Sequence, residues 1–336
     1  MLPEELQLLG EKSLFDDVLK TCPENLEIFD SLIVTNYKLK NYQKILCSIS
    51  GGSDSDVMID ILTKLDIHRK ITYVWFDTGL EYQATKDHLD FLERKYNVKI
   101  ERRKAIKPIP TSCRQFGQPF LSKRVSDMIE RLQRYGFEWE DCSFEELYEK
   151  YPKCKSALRW WCNAWGENSQ FNINKNKYLK EFMVKNPPTF KISTVCCKYA
   201  KKNVAKKFIA EGGFDLNIYG VRKSEGGARA TYYKNCFTDN SDRDKIDEFR
   251  PIFWYKNDTK RTYEKHYNVT HSKCYSQYGL KRTGCVGCPF GRKFEEELEI
   301  VEKYEPKLHR AVNKIFADSY TYTRKYREFV KMKDGK

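Results

Sequence analysis

The segment Ser50-Gly51-Gly52-Ser53-Asp54-Ser55 constrains this chain more than any other. Lys44–Ser50 before it is a short, mostly apolar run of strand type. Asp54–Leu65 after it repeats Val57, Ile61 and Leu62 at helical spacing, with Met58 and Leu65 beside them. Paired glycines between a strand and a helix let the backbone approach an anion closely, and the N–H groups that open the helix face that anion. The hydroxyls of Ser50, Ser53 and Ser55 supply further donors, and Asp54 is placed to cap the helix or to help hold a magnesium ion. The segment is not a Walker A loop, which needs Gly-Lys-Ser/Thr here, and it contains no GxGxxG.

Strand and helix patterns then alternate. Ile71–Thr78 is β-branched and aromatic and reads as a buried strand, Tyr82–Tyr96 as a helix, and Asn97–Arg102 as a third strand. Further on, Lys191–Gly213 reads as a helix stopped by Gly212 and Gly213, and Asp215–Arg222 returns as a strand. Alternation of this kind predicts an α/β fold with a doubly wound, mainly parallel sheet and right-handed crossovers.

The division expected along the chain has three parts. Residues 1–40 form an N-terminal segment of two helices, the second around Asn25–Lys38. Residues 41–235 form a nucleotide-binding α/β domain, with a Trp-, Arg- and Lys-rich helical insertion over about 112–190 packed on the sheet. Residues 236–336 form a loop-rich, cysteine-bearing stretch and C-terminal helices on the same domain.

Composition narrows the class. Lys and Arg number 61 against 47 Asp and Glu, a formal charge of +14 that suits an anionic partner, either nucleotide or nucleic acid. No apolar run approaches the roughly 18 residues of a membrane span, and the acidic start lacks the apolar centre of a signal peptide. A cytoplasmic protein without membrane partners is expected. Twelve cysteines in such a chain point to reduced thiols and metal ligands rather than disulfides.

The loop SGGSDS resembles the SGGxDS loop of the adenine-nucleotide α-hydrolase superfamily, the PP-loop ATP pyrophosphatases. Phe76-Asp77-Thr78-Gly79-Leu80-Glu81 resembles the DTG segment of its phosphoadenosine-phosphosulfate (PAPS) reductase branch, and Ile218-Tyr219-Gly220-Val221-Arg222 through Arg229 resembles that branch's G-x-R…R segment. The resemblance implies a fold binding ATP, adenylyl sulfate or PAPS, with Mg2+, and cleavage between the α and β phosphates. It implies that Ser50, Gly51, Gly52, Ser53, Asp54 and Ser55 hold the pyrophosphate, that Asp77, Thr78 and Gly79 line the nucleotide, and that Ser48 and Gly220 belong to the same cofactor site. Asp54, Ser55, Arg222 and Arg229 become the catalytic candidates, the arginines neutralising charge as the bond breaks. Lys123 and Arg124 are further candidates for phosphate contact.

Cys196-Cys197, Cys274 and Cys285-Val286-Gly287-Cys288-Pro289 form a second constellation. A Cys-x-x-Cys-Pro loop can present two thiolates to one metal centre, and four cysteines hold either an iron–sulfur cluster or zinc. A redox pair or inert thiols remain as other readings. The pattern Cys-Cys…Cys-x-x-Cys resembles the [4Fe–4S] set of assimilatory adenylyl-sulfate reductases, which implies Cys196, Cys197, Cys285 and Cys288 as ligands. Cys274 competes for a place, because neighbouring helical residues point about 100° apart and ligation by both members of the Cys196-Cys197 pair needs distortion.

The sulfonucleotide reductases carry a nucleophilic cysteine near the C terminus, whereas no cysteine follows Cys288 here. The combination is similar to that of ATP-dependent sulfur-insertion enzymes, among them the ATP-pyrophosphatases of DNA phosphorothioation systems. The main expectation is therefore ATP pyrophosphatase chemistry coupled to sulfur transfer onto nucleic acid, served by a cysteine desulfurase or another sulfur donor. A sulfonucleotide reductase and a non-catalytic nucleotide-sensing or nucleic-acid-binding subunit are the alternatives. Arg159-Trp160-Trp161 and Tyr320–Arg327 pair aromatics with cations in a way that suits base stacking, although such aromatics more often form core.

Overall fold

The computed structural model describes residues 25–226, 231–240 and 245–335. The chain forms two compact units: residues 1–77, 82–103 and 204–283 make the first, and residues 78–81, 104–203 and 284–336 the second.

The first unit is built on a six-stranded sheet of order β3-β2-β1-β4-β6-β5. Its strands are β1 (Ile45–Ser48), β2 (Ile71–Asp77), β3 (Ile100–Lys104), β4 (Leu216–Tyr219), β5 (Phe237–Thr238) and β6 (Asp247–Phe249). β1 lies parallel between β2 and β4, with Ser48 opposite both Val74 and Tyr219. β6 runs parallel to β4, and β5 closes the edge antiparallel to β6. The chain winds from β1 through β2 to β3 on one side and places β4, β6 and β5 on the other. The carboxyl end of β1 is thus a topological switch point, where an open α/β sheet leaves a crevice for ligands.

Three helices of this unit matter for that crevice: α1 (Leu26–Asn41), α2 (Ser53–Leu65) and α3 (Gln83–Tyr96). α2 is buried almost all round, through Val57, Met58, Ile59, Ile61, Leu62 and Leu65, and packs into a core with Ile45, Cys47, Ile49, Leu89 and Ile218. Each such Ile or Leu contributes about 1.5–3 kcal/mol on burial. Two aspartates on α2, Asp56 and Asp60, are buried with it and need partners of their own. Tyr96 and Tyr263 donate their hydroxyls to Asp60 at 2.9 and 2.7 Å, and Lys64 pairs with it at 2.5 Å. α3 stops at Asn97, which takes a left-handed conformation (φ 49°) and turns the chain toward β3.

The expected strands and helices of residues 25–103 and the return strand near 216–219 are present, with ends shifted by at most three residues. The first of the two helices expected in residues 1–40 lies outside the described residues. β5 and β6 and a helix at Asn257–His266 occupy a region that reads as loop in the sequence. That helix buries Thr259, Lys260 and Tyr263, so it carries no apolar stripe to betray it.

The second unit is helical. After α4 (Ile109–Phe116), α5 (Lys123–Arg134), α6 (Phe144–Lys150), α7 (Lys155–Trp161) and α8 (Leu179–Lys185) comes α9 (Val195–Cys197), which opens into a π-helical turn over Lys198–Lys202. α10 (Asn203–Gly212), in the first unit from Val204 onward, continues it and ends at Gly213 (φ 59°). The helix at Asn257–His266 is α11, and Lys273–Ser276 is α12, both in the first unit. Three helices close the second unit: α13 (Phe294–Tyr304), α14 (Pro306–Ile315) and α15 (Ala317–Lys333). Trp160, Trp161, Phe182, Tyr322 and Tyr326 belong to one buried cluster with Phe120 and Leu158, and Tyr320 is buried against Phe294. The aromatics considered for base stacking are therefore core. No helix among the described residues is long and apolar enough to cross a membrane.

Candidate active site

The loop after β1 is held open by its own hydroxyls. Ser55 Oγ donates to the Gly52 carbonyl at 2.7 Å and accepts the Gly52 N–H at 3.0 Å, and Ser50 Oγ lies 3.3 Å from Ser55 Oγ. Gly51 has φ +68°, and a Cβ there would stand 2.7 Å from the Thr85 methyl. Backbone conformation and space both demand glycine. Gly220, after β4, packs on the loop as well: a Cβ there would meet the Asp54 backbone at 3.4 Å. The Gly-x-Arg segment thus brings its glycine against the start of α2 and its arginine beside it.

Asp54 is the centre of charge. Arg222 Nε donates to its two oxygens at 2.9 and 3.0 Å, and Lys260 Nζ lies 2.7 Å from Oδ1. Burial opposes ionisation of Asp54, yet Lys260 and Arg222 hold its carboxyl below the usual carboxylate range. Arg222 is fixed in turn by Ser224 Oγ and Asn257 Oδ1, each at 2.9 Å. Lys260 Nζ also donates to Ser53 Oγ at 2.6 Å, so the loop itself is tied to α11. Both oxygens of Asp54 face cations here, and it does not serve as the helix cap.

The network continues behind the loop. Lys260 lies 3.3 Å from Glu264, Glu264 lies 3.0 Å from His271 Nε2, and His271 Nδ1 lies 2.8 Å from Asp56. His88 Nε2 sits at 2.9 Å on the other oxygen of Asp56. Burial disfavours the charged form of His271, but hydrogen bonds with Asp56 and Glu264 outweigh it and lift its pKa to about 9. None of Lys260, Glu264, His271 and His88 stands out in the sequence, where the histidines are scattered. The legible sign was only that α2 buries two aspartates, which must find cations or donors.

The second unit gathers thiols. Cys196 hydrogen-bonds with Cys113 and Cys197 and interacts electrostatically with Cys288, while Cys285 acts on Cys288 and Cys197 on both. The hydrogen bond with Cys113 raises the Cys196 thiol well above the ordinary range against the opposing one from Cys197, and the hydrogen bond with Cys196 followed by burial raises Cys197. Burial pushes Cys288 up to about 12 and also raises Cys285, against which Lys201 acts. Cys285 Sγ lies 3.8 Å from Thr78 Oγ1, whose hydroxyl donates to Glu81 at 2.6 Å. The π-helical turn begins directly after Cys197. Among the described residues no three or more His, Cys, Asp and Glu side chains stand in the arrangement that holds a metal ion. In donor type and number, the thiols nevertheless fit a soft, four-cysteine centre.

The other candidates fall as follows. Asp77 ends β2 in the first unit, whereas Thr78 and Gly79 begin the second, where Gly79 (φ +77°) leaves only 2.8 Å between a Cβ and Pro108. Lys123 opens α5 in the second unit and acts on Cys197, and Arg124 stacks on Phe171 at 3.9 Å. Cys274 is fully buried in the first unit, 3.7 Å from Thr85 Oγ1. Arg229 lies outside the described residues. Cys113 lies outside the constellation singled out in the sequence, and only its hydrogen bond with Cys196 marks it out.

A loop of this build at the switch point of a mainly parallel sheet is similar to the phosphate loop of the PP-loop proteins. More particularly, residues 44–133 match the phosphoadenosine phosphosulfate reductase domain. The uncharacterized protein MJ0066 of Methanocaldococcus jannaschii is 26% identical over 270 residues, which are 76% of this chain and 41% of that protein. The chain thus spans well under half the length of that relative. Among solved structures it is similar to PAPS reductase from Candida auris (14% identity, 81% of this chain and 93% of that one, TM-score 0.40). It is also similar to the U34-tRNA thiolase NcsA from Methanococcus maripaludis with its [4Fe–4S] cluster (12% identity, 90% and 80%, TM-score 0.35).

Proposed function

We propose that the first unit binds ATP through Ser50–Ser55 and cleaves it between the α and β phosphates, and that the product serves sulfur transfer. An oxygen of the acceptor attacks the α-phosphorus, pyrophosphate leaves, and a sulfur nucleophile from a donor such as a cysteine desulfurase then displaces AMP. The observation that carries this reading is the glycine loop at the switch point, whose Asp54 holds two buried cations against the phosphate site. Arg222 is fixed on three sides, so it meets developing charge without reorganising. Asp54 is already neutralised by Arg222 and Lys260, so it does not fit a free magnesium ligand.

Cys196, Cys197, Cys285 and Cys288 would hold a [4Fe–4S] cluster, which supplies a sulfur-binding and redox-active centre; zinc on the same set would be structural. The charge of +14 supports a nucleic acid as acceptor, with DNA the first candidate, and a cytoplasmic setting suits reduced thiols. ATP incubated with the protein, DNA and inorganic sulfide as the sulfur nucleophile should give AMP and pyrophosphate, and Arg222→Met should abolish both. ADP and phosphate as products would overturn the reading.

The match of residues 44–133 to the PAPS reductase domain favours one second reading, reduction of a sulfonucleotide by an external thiol. That enzyme would release sulfite from adenylyl sulfate or PAPS. Nucleotide binding with no product from any of these substrates would instead mark a sensing subunit.

A further inference from the structure

Lys260 is the group whose position the proposed chemistry does not yet explain. Its side chain is 10% exposed, on a helix that also carries the exposed Asp258 and Arg261. Lysines are almost never buried this far unless paired. Here Nζ donates to Ser53 Oγ (2.6 Å) and forms ion pairs with Asp54 (2.7 Å) and Glu264 (3.3 Å). Two of those partners belong to the phosphate loop itself. A lysine needed only to pin α11 to α2 would be served by one carboxylate. This one has its nitrogen at the entrance of the loop, beside Arg222, and a second carboxylate behind it that His271 holds in place.

Asp54 in this setting is an anion in the place of an anion. Its carboxylate gathers the two cations that a phosphate would gather, at distances typical of charge-assisted hydrogen bonds. We propose that Lys260 is a phosphate-binding residue of the nucleotide site, that Asp54 stands in for phosphate when no nucleotide is bound, and that Glu264 positions Lys260 for the exchange. On binding, Lys260 leaves Asp54 for a phosphate oxygen while Glu264 keeps its hold. No bond is made or broken and no proton moves. The inference rests on the reading of Ser50–Ser55 as a nucleotide loop, and it assigns to that loop a cation carried 200 residues away in the chain.

The assignment has an unusual sign. Removing Asp54's charge takes away an internal competitor, so Asp54→Asn should bind inorganic pyrophosphate more tightly than the wild type, by about threefold or more. Lys260→Met should bind it at least about tenfold more weakly, and Lys260→Arg should recover most of the loss. The experiment is titration calorimetry of the full chain with inorganic pyrophosphate and with ATP, and circular dichroism checks that each variant folds. Unchanged pyrophosphate affinity in Lys260→Met, or weaker affinity in a folded Asp54→Asn, overturns the proposal. If Lys260→Met does not fold, the direction of the Asp54→Asn change decides alone. A wild type that binds neither pyrophosphate nor ATP is a different failure, that of the nucleotide reading itself.

Discussion

At the residue scale the loop makes demands that single substitutions expose. Gly51→Ala puts a Cβ into the Thr85 methyl at a left-handed backbone position. It should cost about 1–3 kcal/mol, read as a melting temperature lower by a few degrees. Ser55→Ala removes the hydroxyl that bridges both polar groups of Gly52 and should lose nucleotide affinity with little change in melting. Legibility divides cleanly at this scale. The turn at Gly51, Gly52 and Ser55 was legible because its hydrogen bonds close within three residues, whereas the pairing of Arg222 with Asp54, 168 positions away, was not. Neither was Lys260, because its partner Ser53 is 207 positions away and nothing in Asn257–His266 foretells the pairing. Cys113 was one thiol among twelve until packing set it beside Cys196.

At the scale of elements, α2 explains why histidines appear behind the loop. Its buried face carries Asp56, which is fully enclosed and takes His88 from α3 and His271 from the segment before α12. The pKa of His271 is raised from the ordinary 6.5 to about 9 in the folded chain. The stabilisation its charge supplies is therefore complete below pH 6.5 and is lost as pH climbs through about 9. Melting temperatures should fall across that window, and His271→Gln should flatten the fall. A variant profile parallel to the wild type would remove His271 from the account.

The strands and helices of residues 25–103 announced themselves through apolar periodicity. β5, β6 and α11 did not, since two- and three-residue strands have no period and α11 buries polar side chains. The aromatic stretch around Trp161 carried a double meaning, settled by burial. Trp161 is fully enclosed and donates Nε1–H to Glu140 O at 2.8 Å. Trp161→Ala should cost about 3–5 kcal/mol in denaturant unfolding, whereas a surface stacking residue would cost almost nothing.

At the scale of the molecule, the two sets of chemistry-bearing residues belong to different units, each with its own core. The phosphate loop, Arg222 and Lys260 sit in the sheet unit; Cys113, Cys196, Cys197, Cys285 and Cys288 sit in the helical one. The thiol set calls for purification without oxygen and assay of iron and sulfide. About four of each per chain, with a broad visible band lost on Cys285→Ala plus Cys288→Ala, is the expected result. One zinc and no sulfide would make the cysteines a structural clamp.

The central claim is that the loop after β1 holds an adenine nucleotide by its phosphates. Titration with α,β-methylene-ATP, which cannot be cut between the α and β phosphates, tests this most directly. The wild type should bind it, ATP and pyrophosphate should compete, and Arg222→Met should weaken it at least about tenfold. A folded wild type that leaves the analogue unbound, or an Arg222→Met variant that binds it as well as the wild type, would contradict the account.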